Sequence, residues 1–157
     1  MKKMIAIKKW HLIALGIIVL VSLAYKAYQT WYWPKAQIKI NDQIITVLVA
    51  DTSRHLHEGW SSKKDMGRYG GMLFVFNDYG RHAMVMRDMQ FPLDMVWLLD
   101  GMVVDMAPNI PLEPGKPENE LNLYLSSHSS NRVLELPSGT IAQTGLKIGD
   151  KIEGVRK

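Results

Sequence analysis

The chain changes its hydrophobic pattern once, near residue 35. Before that point a single apolar run, Trp10 to Tyr25, contains no Asp, Glu, Lys or Arg. Beyond it the apolar stretches are short and are separated by Asn, Asp, Gly and Pro. A continuous apolar run is typical of a membrane helix, and short runs between turn residues are typical of strands. The pattern predicts an N-terminal segment over residues 1–35 and a β-rich domain over residues 36–157.

The apolar run predicts a helix that anchors the chain in a membrane. Lysines precede it, and an aromatic belt follows it, made of Tyr28, Trp31, Tyr32 and Trp33. Such flanks are typical of a segment that stays in the bilayer. The sixteen residues rise only about 24 Å as a helix, against the roughly 30 Å of a bilayer's hydrocarbon core. We therefore expect residues 27–31 to extend the span.

A cleaved signal peptide is the alternative to an anchor. Its small-residue cleavage site would be Ser22-Leu23-Ala24, which lies inside the apolar run. In either case the lysines ahead of the run predict that residues 36 onward lie outside the cytoplasm. The anchor predicts a single-pass protein of the cytoplasmic membrane, and the signal peptide predicts a secreted or periplasmic protein.

The domain is predicted to be mostly β. Asn41-Asp42 and Asp100-Gly101 are turn dipeptides between apolar runs, and residues 77–80 form a third turn signal. The predicted strands cover residues 37–40, 44–49, 72–76, 82–86, 95–99, 102–106, 121–125, 132–136 and 151–155.

Helices in the domain are predicted to be few and short. Thr52 or Ser53 can cap a helix that carries Leu56 and Trp60 and that ends before residue 67. Residues 138–144 can form one further turn, ended by Gly145.

Prolines recur at every third position from residue 108 to residue 117. That spacing matches the three residues per turn of polyproline II, and a proline cannot donate to a central strand. We expect a semi-rigid surface loop here, either packed against its own domain or docked into a partner's aromatic groove.

Charge and cysteine content narrow the classes of function. The chain carries a net charge of +4, but six lysines and no acidic residue lie in the first 35 positions. The remainder holds 13 basic and 15 acidic residues, so the domain has no electrostatic reason to bind nucleic acid. Because the chain contains no cysteine, disulfides, thiol nucleophiles, iron–sulfur clusters and Cys-ligated zinc are excluded.

Motifs spread along the domain resemble the uncharacterised DUF192 family. They are GGMLFVF at residues 70–76, PLDMV at 92–96, VLELPSGT at 133–140 and GLKIGD at 145–150, together with Arg81, His82 and Met86. The resemblance implies a mostly β, α+β fold. It also implies a single small domain that is barrel-like or sandwich-like, with one or two short helices, commonly exported and without a settled reaction.

Two stretches depart from that family's pattern. Gly59-Trp60-Ser61 stands where relatives carry Gly-Leu-Met, and residues 84–89 stand where relatives carry an aromatic-Trp-Met-Lys-Asn-Thr stretch. If the missing tryptophan lines a pocket in relatives, we expect Trp60 or Trp97 to replace it.

His55 and His57 lie two positions apart on the first predicted helix of the domain. Residues at that spacing point about 200° apart around a helix, so the two imidazoles cannot share a helical metal site. We expect both to lie on a solvated helix face, with a site completed from elsewhere in the fold as the alternative.

A binding or accessory module is favoured over an enzyme, and its ligand is expected to be a small molecule or a protein. The pocket is predicted to lie between the strand after Arg81 and the strand after Pro92. Arg81 or Arg87 would bind a carboxylate or phosphate there. The residues assigned to this ligand site are Arg81, His82, Met86, Arg87, Asp88, Asp94 and Trp97. No cofactor is expected.

A soft-metal site is the first alternative. On a strand, His82, Met84 and Met86 would project to one face, and Met89 could fold back toward them. Imidazole and thioether ligands suit Cu(I), which is a ligand set open to an exported protein without cysteine. Methionine is also common core filler, so we favour packing for these side chains. A hydrolase with His82 and Asp94 as its acid/base pair is a further alternative, although no nucleophile is recognisable.

Overall fold

The structure is a computed structural model that describes residues 9–155. The chain divides into two compact units, the first ending at Tyr32 and the second beginning at Trp33. The first unit holds helix α1, Lys9–Trp31. Its segment Lys9–Tyr28 is long and apolar enough to cross a membrane. A signal sequence near an N-terminus has the same length and apolar composition.

The second unit is mostly β with short helices, which confirms the predicted fold class. Its strands are β1 (Lys35–Ile40), β2 (Gln43–Ala50), β3 (Met72–Gly80), β4 (Ala83–Met84), β5 (Leu93–Leu99), β6 (Met102–Ile110), β7 (Tyr124–Leu125) and β8 (Ser130–Pro137). Its helices are α2 (Ser53–Glu58), a 3-10 turn at Glu118–Glu120, and α3 (Thr140–Thr144).

Six strands form one open sheet in the order β1-β2-β3-β8-β5-β6, and β4 pairs with β7 in a separate ribbon. All neighbours in the large sheet are antiparallel except β2 and β3, which are parallel and are joined by the crossover that contains α2. C-terminal residues bridge both edges of the sheet. Lys39 N–H donates to Glu153 O at 3.0 Å, and Val103 N–H donates to Asp150 O at 2.9 Å. The sheet is therefore curled so that both edge strands contact one segment.

An apolar core lies on each face of the sheet because successive side chains along a strand point to opposite faces. In β8, Leu134 faces the first core and Val133 faces the second. The second core also receives side chains from the segments that cover this face, among them Trp60 after α2 and Met84 and Met86 around β4. This covered face carries the candidate site.

Two strands continue four residues past their predicted C-terminal ends. β3 continues to Gly80 through the predicted turn at residues 77–80, with an irregular register between Val75 and Gly80. β6 continues to Ile110 through Pro108. It can do so because β6 is an edge strand, where the missing N–H of proline breaks no ladder hydrogen bond.

Three predicted strands are shorter than expected. Residues 82–86 contribute only Ala83–Met84, and residues 121–125 contribute only Tyr124–Leu125. These two segments pair with each other and not with the large sheet, so neither has a second strand to lengthen it. Residues 151–155 form isolated bridges at Lys151 and Glu153.

Helix α2 begins at the predicted cap, since Thr52 Oγ1 accepts the His55 N–H at 3.2 Å. The expectation that His55 is solvated is wrong. Its side chain is 1% exposed and stacks on Trp33, with ring centroids 4.0 Å apart. The helix packs on β2, which turns the face that bears His55 inward and leaves His57 exposed. α3 ends at Gly145 in a left-handed conformation, as predicted.

Candidate functional site

A cavity of about 160 Å³ lies on the covered face of the sheet. One wall is the end of α2 and the turn that follows it, residues 56–61. The facing wall comes from the segment around β4, through Ala83, Met84, Val85, Arg87 and Met89. The sheet contributes Phe74 from β3 and Glu135 from β8. Four separate segments of the chain therefore meet around this space.

Glu135 is the buried acid of the cavity. Strand alternation places its side chain on the face of Val133 and opposite Leu134. It is 3% exposed, and within residues 9–155 no hydrogen bond or ion pair engages its carboxyl. Burial raises the pKa of Glu135 to about 8. At neutral pH the group is therefore mostly a neutral acid, which can donate a hydrogen bond as well as accept one.

Local backbone features bring Glu135 and Trp60 to the cavity. A Cβ at Gly71 would collide with the backbone oxygen of Glu135, so glycine permits the close approach of β3 and β8 at this point. Gly59 has φ +49°, a conformation that glycine adopts readily, and the resulting turn after α2 directly precedes Trp60. Trp60 is 2% exposed, and its Nε1–H has no acceptor among the described residues.

Hydrogen bonds hold the two walls together. Ser61 Oγ donates to Arg87 O at 3.0 Å, and Ser62 N–H donates to Asp88 O at 2.9 Å. Asp88 has φ +50°, which turns the chain at this junction. The two walls are thus joined by one side-chain hydroxyl and one backbone N–H, and both donors bind backbone carbonyls.

Arg87 connects the cavity walls to Glu118, the residue directly after the proline-rich loop of residues 108–117. Its Nε and Nη2 donate to the carboxylate of Glu118, and its Nη1 donates to His57 O at 2.8 Å. The hydrogen bonds to Glu118 raise the pKa of Arg87, and the same contact lowers the pKa of Glu118. The guanidinium is therefore a positive charge whose partners are supplied by the protein.

The proline-rich loop packs against its own domain through Glu113. This buried carboxylate accepts Lys116 Nζ at 2.9 Å and the Asn122 N–H at 3.1 Å, while Tyr124 Oη donates to it at 3.4 Å. The hydrogen bond from Lys116 is the main reason that the pKa of Glu113 is lowered. Glu118 is held at the rim of the cavity by a loop that is itself anchored at this carboxylate.

Of the seven residues assigned from the sequence, Arg87 lines the cavity and the other six lie elsewhere. Arg81 Nε donates to Ser126 O at 2.6 Å. His82 stacks on Phe76, with centroids 3.7 Å apart, and its backbone oxygen accepts Trp97 Nε1–H at 2.9 Å. These contacts place Arg81, His82 and Trp97 together outside the cavity walls.

The remaining assigned residues have structural contacts. Asp94 is fully buried and accepts three backbone N–H groups, from Asn109 at 2.8 Å, Gly139 at 3.1 Å and Ile141 at 2.7 Å. Met86 is 1% exposed in the second core. Asp88 is exposed and uses its backbone oxygen, as described above.

The methionines of the soft-metal alternative belong to the second core, since Met84 and Met86 lie in it and Met89 packs against it. His82 stacks on Phe76. Within the part of the chain that the structure describes, no three His, Asp or Glu side chains are grouped as metal ligands.

Sequence reasoning did not assign Glu135 to the site. The sequence does contain an indication of its role, because the stretch VLELP places a charged residue inside a run that is otherwise typical of a buried strand. Trp60 was singled out as a substitute for a family tryptophan, and it does line the cavity.

Comparison with known proteins identifies relatives of the domain. The DUF192 family model, described as "Uncharacterized ACR", matches residues 36–154. The crystal structure of a candidate transcription regulator from Sinorhizobium meliloti 1021 aligns with a TM-score of 0.68 and 25% identity, over 78% of this chain and 95% of that one. The crystal structure of a protein of unknown function from Novosphingobium aromaticivorans DSM 12444 aligns with a TM-score of 0.64 and 23% identity, over 77% of this chain and 84% of that one. No curated protein matches the chain.

Proposed function

We propose a function for this chain, which belongs to the DUF192 family. Its domain is a binding module that takes a small ligand into the cavity beside Glu135. One observation carries the proposal. Glu135 borders the cavity, and its buried carboxyl has no partner among the described residues. Trp60 also lines the cavity, and its buried Nε1–H lacks an acceptor among those residues. Each unpartnered buried group costs about 1–3 kcal/mol, and a ligand that pairs with it recovers that cost.

The size and lining of the cavity support a small ligand. A volume of about 160 Å³ is close to that of an apolar cavity that accepts benzene, so a ligand of roughly six to nine heavy atoms fits. Leu56, Phe74, Met84 and Met89 offer apolar contact around the two polar groups. Ligand sites commonly combine such apolar contact with polar groups that fix orientation.

We also propose that α1 anchors this binding module in the cytoplasmic membrane, with the domain on the outer side. The length and composition of Lys9–Tyr28 support the anchor. The lysines that precede the apolar run support the orientation, because positive charge is retained on the cytoplasmic side. A module in this position would meet its ligand outside the cytoplasm.

A fragment screen tests the binding function. The chain in maltoside micelles would be screened by saturation-transfer NMR against neutral, cationic and anionic fragments of about six to nine heavy atoms. Val85→Trp would fill the cavity from a half-buried lining position, and Val49→Trp would make the same change at a half-buried position outside it. Thermal unfolding would confirm that both variants fold.

We expect fragments to bind the unmodified chain and Val49→Trp and to lose binding in Val85→Trp. The proposal is wrong if no fragment binds, or if the fragments that bind the unmodified chain bind Val85→Trp equally well.

A further inference from the structure

We infer that the ligand of this cavity is a small organic ammonium ion, which pairs with the Glu135 carboxylate beside the rings of Trp60 and Phe74. The inference rests on the proposed binding function and adds to it the charge and chemical class of the ligand.

The charges that line the cavity favour a cation. Its titratable residues are His57, Glu58, Arg87 and Glu135. Arg87 is engaged by Glu118 and by His57 O, and Glu58 lies 3.3 Å from Arg54 Nε and 3.4 Å from Lys63 Nζ. Of these four, Glu135 is the buried one, and no described cation lies within ion-pair distance of it. Once this carboxyl is ionised, an anion would meet it with unfavourable charge, whereas a cation would supply the missing partner.

The apolar lining suits an alkylated ammonium group in particular. Trp60 and Phe74 present aromatic rings, whose faces attract a cation at distances within about 6 Å. Met84 and Met89 add polarizable thioethers that contact methyl groups well. A compact inorganic cation would use neither feature, but methyl or methylene groups around a positive nitrogen would use both.

Trp60 indicates a second group on the ligand. Its buried Nε1–H has no acceptor among the described residues, and an ammonium group cannot accept a hydrogen bond. A hydroxyl or carbonyl oxygen on the same ligand would accept it. The expected ligand therefore combines an alkylated ammonium group with one oxygen acceptor in fewer than about ten heavy atoms.

Binding of a cation requires Glu135 to lose its proton. With the pKa of Glu135 at about 8 in the free domain, most of the protein is protonated at neutral pH. The carboxylic acid releases its proton to solvent and the carboxylate pairs with the ammonium group, so one proton leaves for each cation bound. Affinity should rise about fifty-fold between pH 6 and pH 8, most steeply at the lower end of this range, and then level off.

Choline and two isosteres provide the test. Choline is a quaternary ammonium alcohol whose charge does not titrate. 3,3-Dimethylbutan-1-ol is its neutral isostere, and 3,3-dimethylbutanoate is an anion of similar shape. Each would be titrated into the chain labelled with ¹³C at methionine methyls, in maltoside micelles, with Met84 and Met89 as cavity signals and the exposed Met102 as an internal control.

We expect choline to shift the Met84 and Met89 signals but not that of Met102, and to bind at least tenfold more tightly than either isostere at pH 8. Glu135→Gln should remove both the preference for the cation and the pH dependence, and the exposed Glu120→Gln should keep both. The pH dependence of the unmodified chain tests the inference even if Glu135→Gln fails to fold.

The cation assignment is overturned if the neutral alcohol or the anion binds as tightly as choline, or if the affinity for choline does not rise with pH. It is also overturned if choline does not bind while other fragments bind the cavity, and in these cases the binding function stands. Failure of every fragment would remove both proposals.

Discussion

Glu135 should make the domain less stable as the pH rises from 5 to 8. In the unfolded chain its carboxyl titrates at the ordinary value of 4.5, but in the folded domain burial raises its pKa to about 8. Between these values the folded state holds a proton that the unfolded state has released. The stability linked to that proton is fully present below pH 4.5, falls as the pH rises, and stays low above pH 8. Glutamine has nearly the same shape and cannot ionise, so Glu135→Gln should remove this dependence.

The expected size follows from the two pKa values. Each pH unit between them lowers the free energy of unfolding by about 1.4 kcal/mol. Titration at both ends reduces the total between pH 5 and pH 8 to about 3 to 4 kcal/mol. This is a large share of the roughly 5–15 kcal/mol that stabilises an ordinary domain.

Urea unfolding followed by circular dichroism would measure the effect on the chain in maltoside micelles at pH 5, 6, 7 and 8. Other groups also titrate, so the informative quantity is the difference between the unmodified chain and each variant. That difference should change by about 3 to 4 kcal/mol for Glu135→Gln and stay constant for Glu120→Gln, whose side chain is exposed. Profiles for Glu135→Gln and the unmodified chain that are parallel within about 0.5 kcal/mol would refute the assignment of a raised pKa.

Three further results are expected. Asp94→Asn should lower the free energy of unfolding by about 2 to 4 kcal/mol, because an amide cannot accept all three backbone N–H groups that the carboxylate accepts; a loss under about 0.5 kcal/mol in urea unfolding would contradict this. The chain should stay in the membrane fraction through high-salt and carbonate washes, with the domain open to external protease, whereas a soluble form beginning near Tyr25 would show that the apolar run is a signal peptide. Met86→Leu should cost under about 1.5 kcal/mol, and the chain should take up no stoichiometric Cu(I) by atomic absorption; one-to-one uptake that is lost in Met86→Leu would support the soft-metal alternative.

Local sequence patterns are sufficient to predict β8 and the start of α2. β8 was predicted at residues 132–136 because its apolar residues form a short run bounded by polar and turn residues. The cap of α2 at Thr52 was predicted because its hydroxyl can accept an N–H of the first turn. Both signals lie within a few residues, so no tertiary information is needed to recognise them.

The wrong predictions for residues 82–86 and for Pro108 share a different cause. Residues 82–86 have the composition of a strand, but the segment crosses the covered face of the sheet and finds only the two residues of β7 to pair with. Pro108 was placed in a loop, and only the position of β6 at the sheet edge makes a proline acceptable there. In each case the deciding factor is the neighbouring strand, which local composition does not specify.

Two acidic residues show that local sequence is equally insufficient to identify the candidate site. Asp94 in PLDMV and Glu135 in VLELP give the same signal, a carboxyl within an apolar strand. The structure surrounds Asp94 with three backbone donors, one from β6 and two from the start of α3, and it leaves Glu135 facing a cavity without a donor from the described residues. Because those donors come from distant parts of the chain, the sequence alone could not separate the structural acid from the candidate ligand acid.

Intermolecular nuclear Overhauser effects between a bound fragment and the methionine methyls test the central claim most directly. The fragment would be the tightest binder from the screen, whatever its charge. The account predicts cross-peaks to the methyls of Met84 and Met89, which line the cavity beside Glu135, and none to the exposed Met102. Cross-peaks to methyls outside the cavity, with none to Met84 or Met89, would contradict the claim that this cavity is the ligand site.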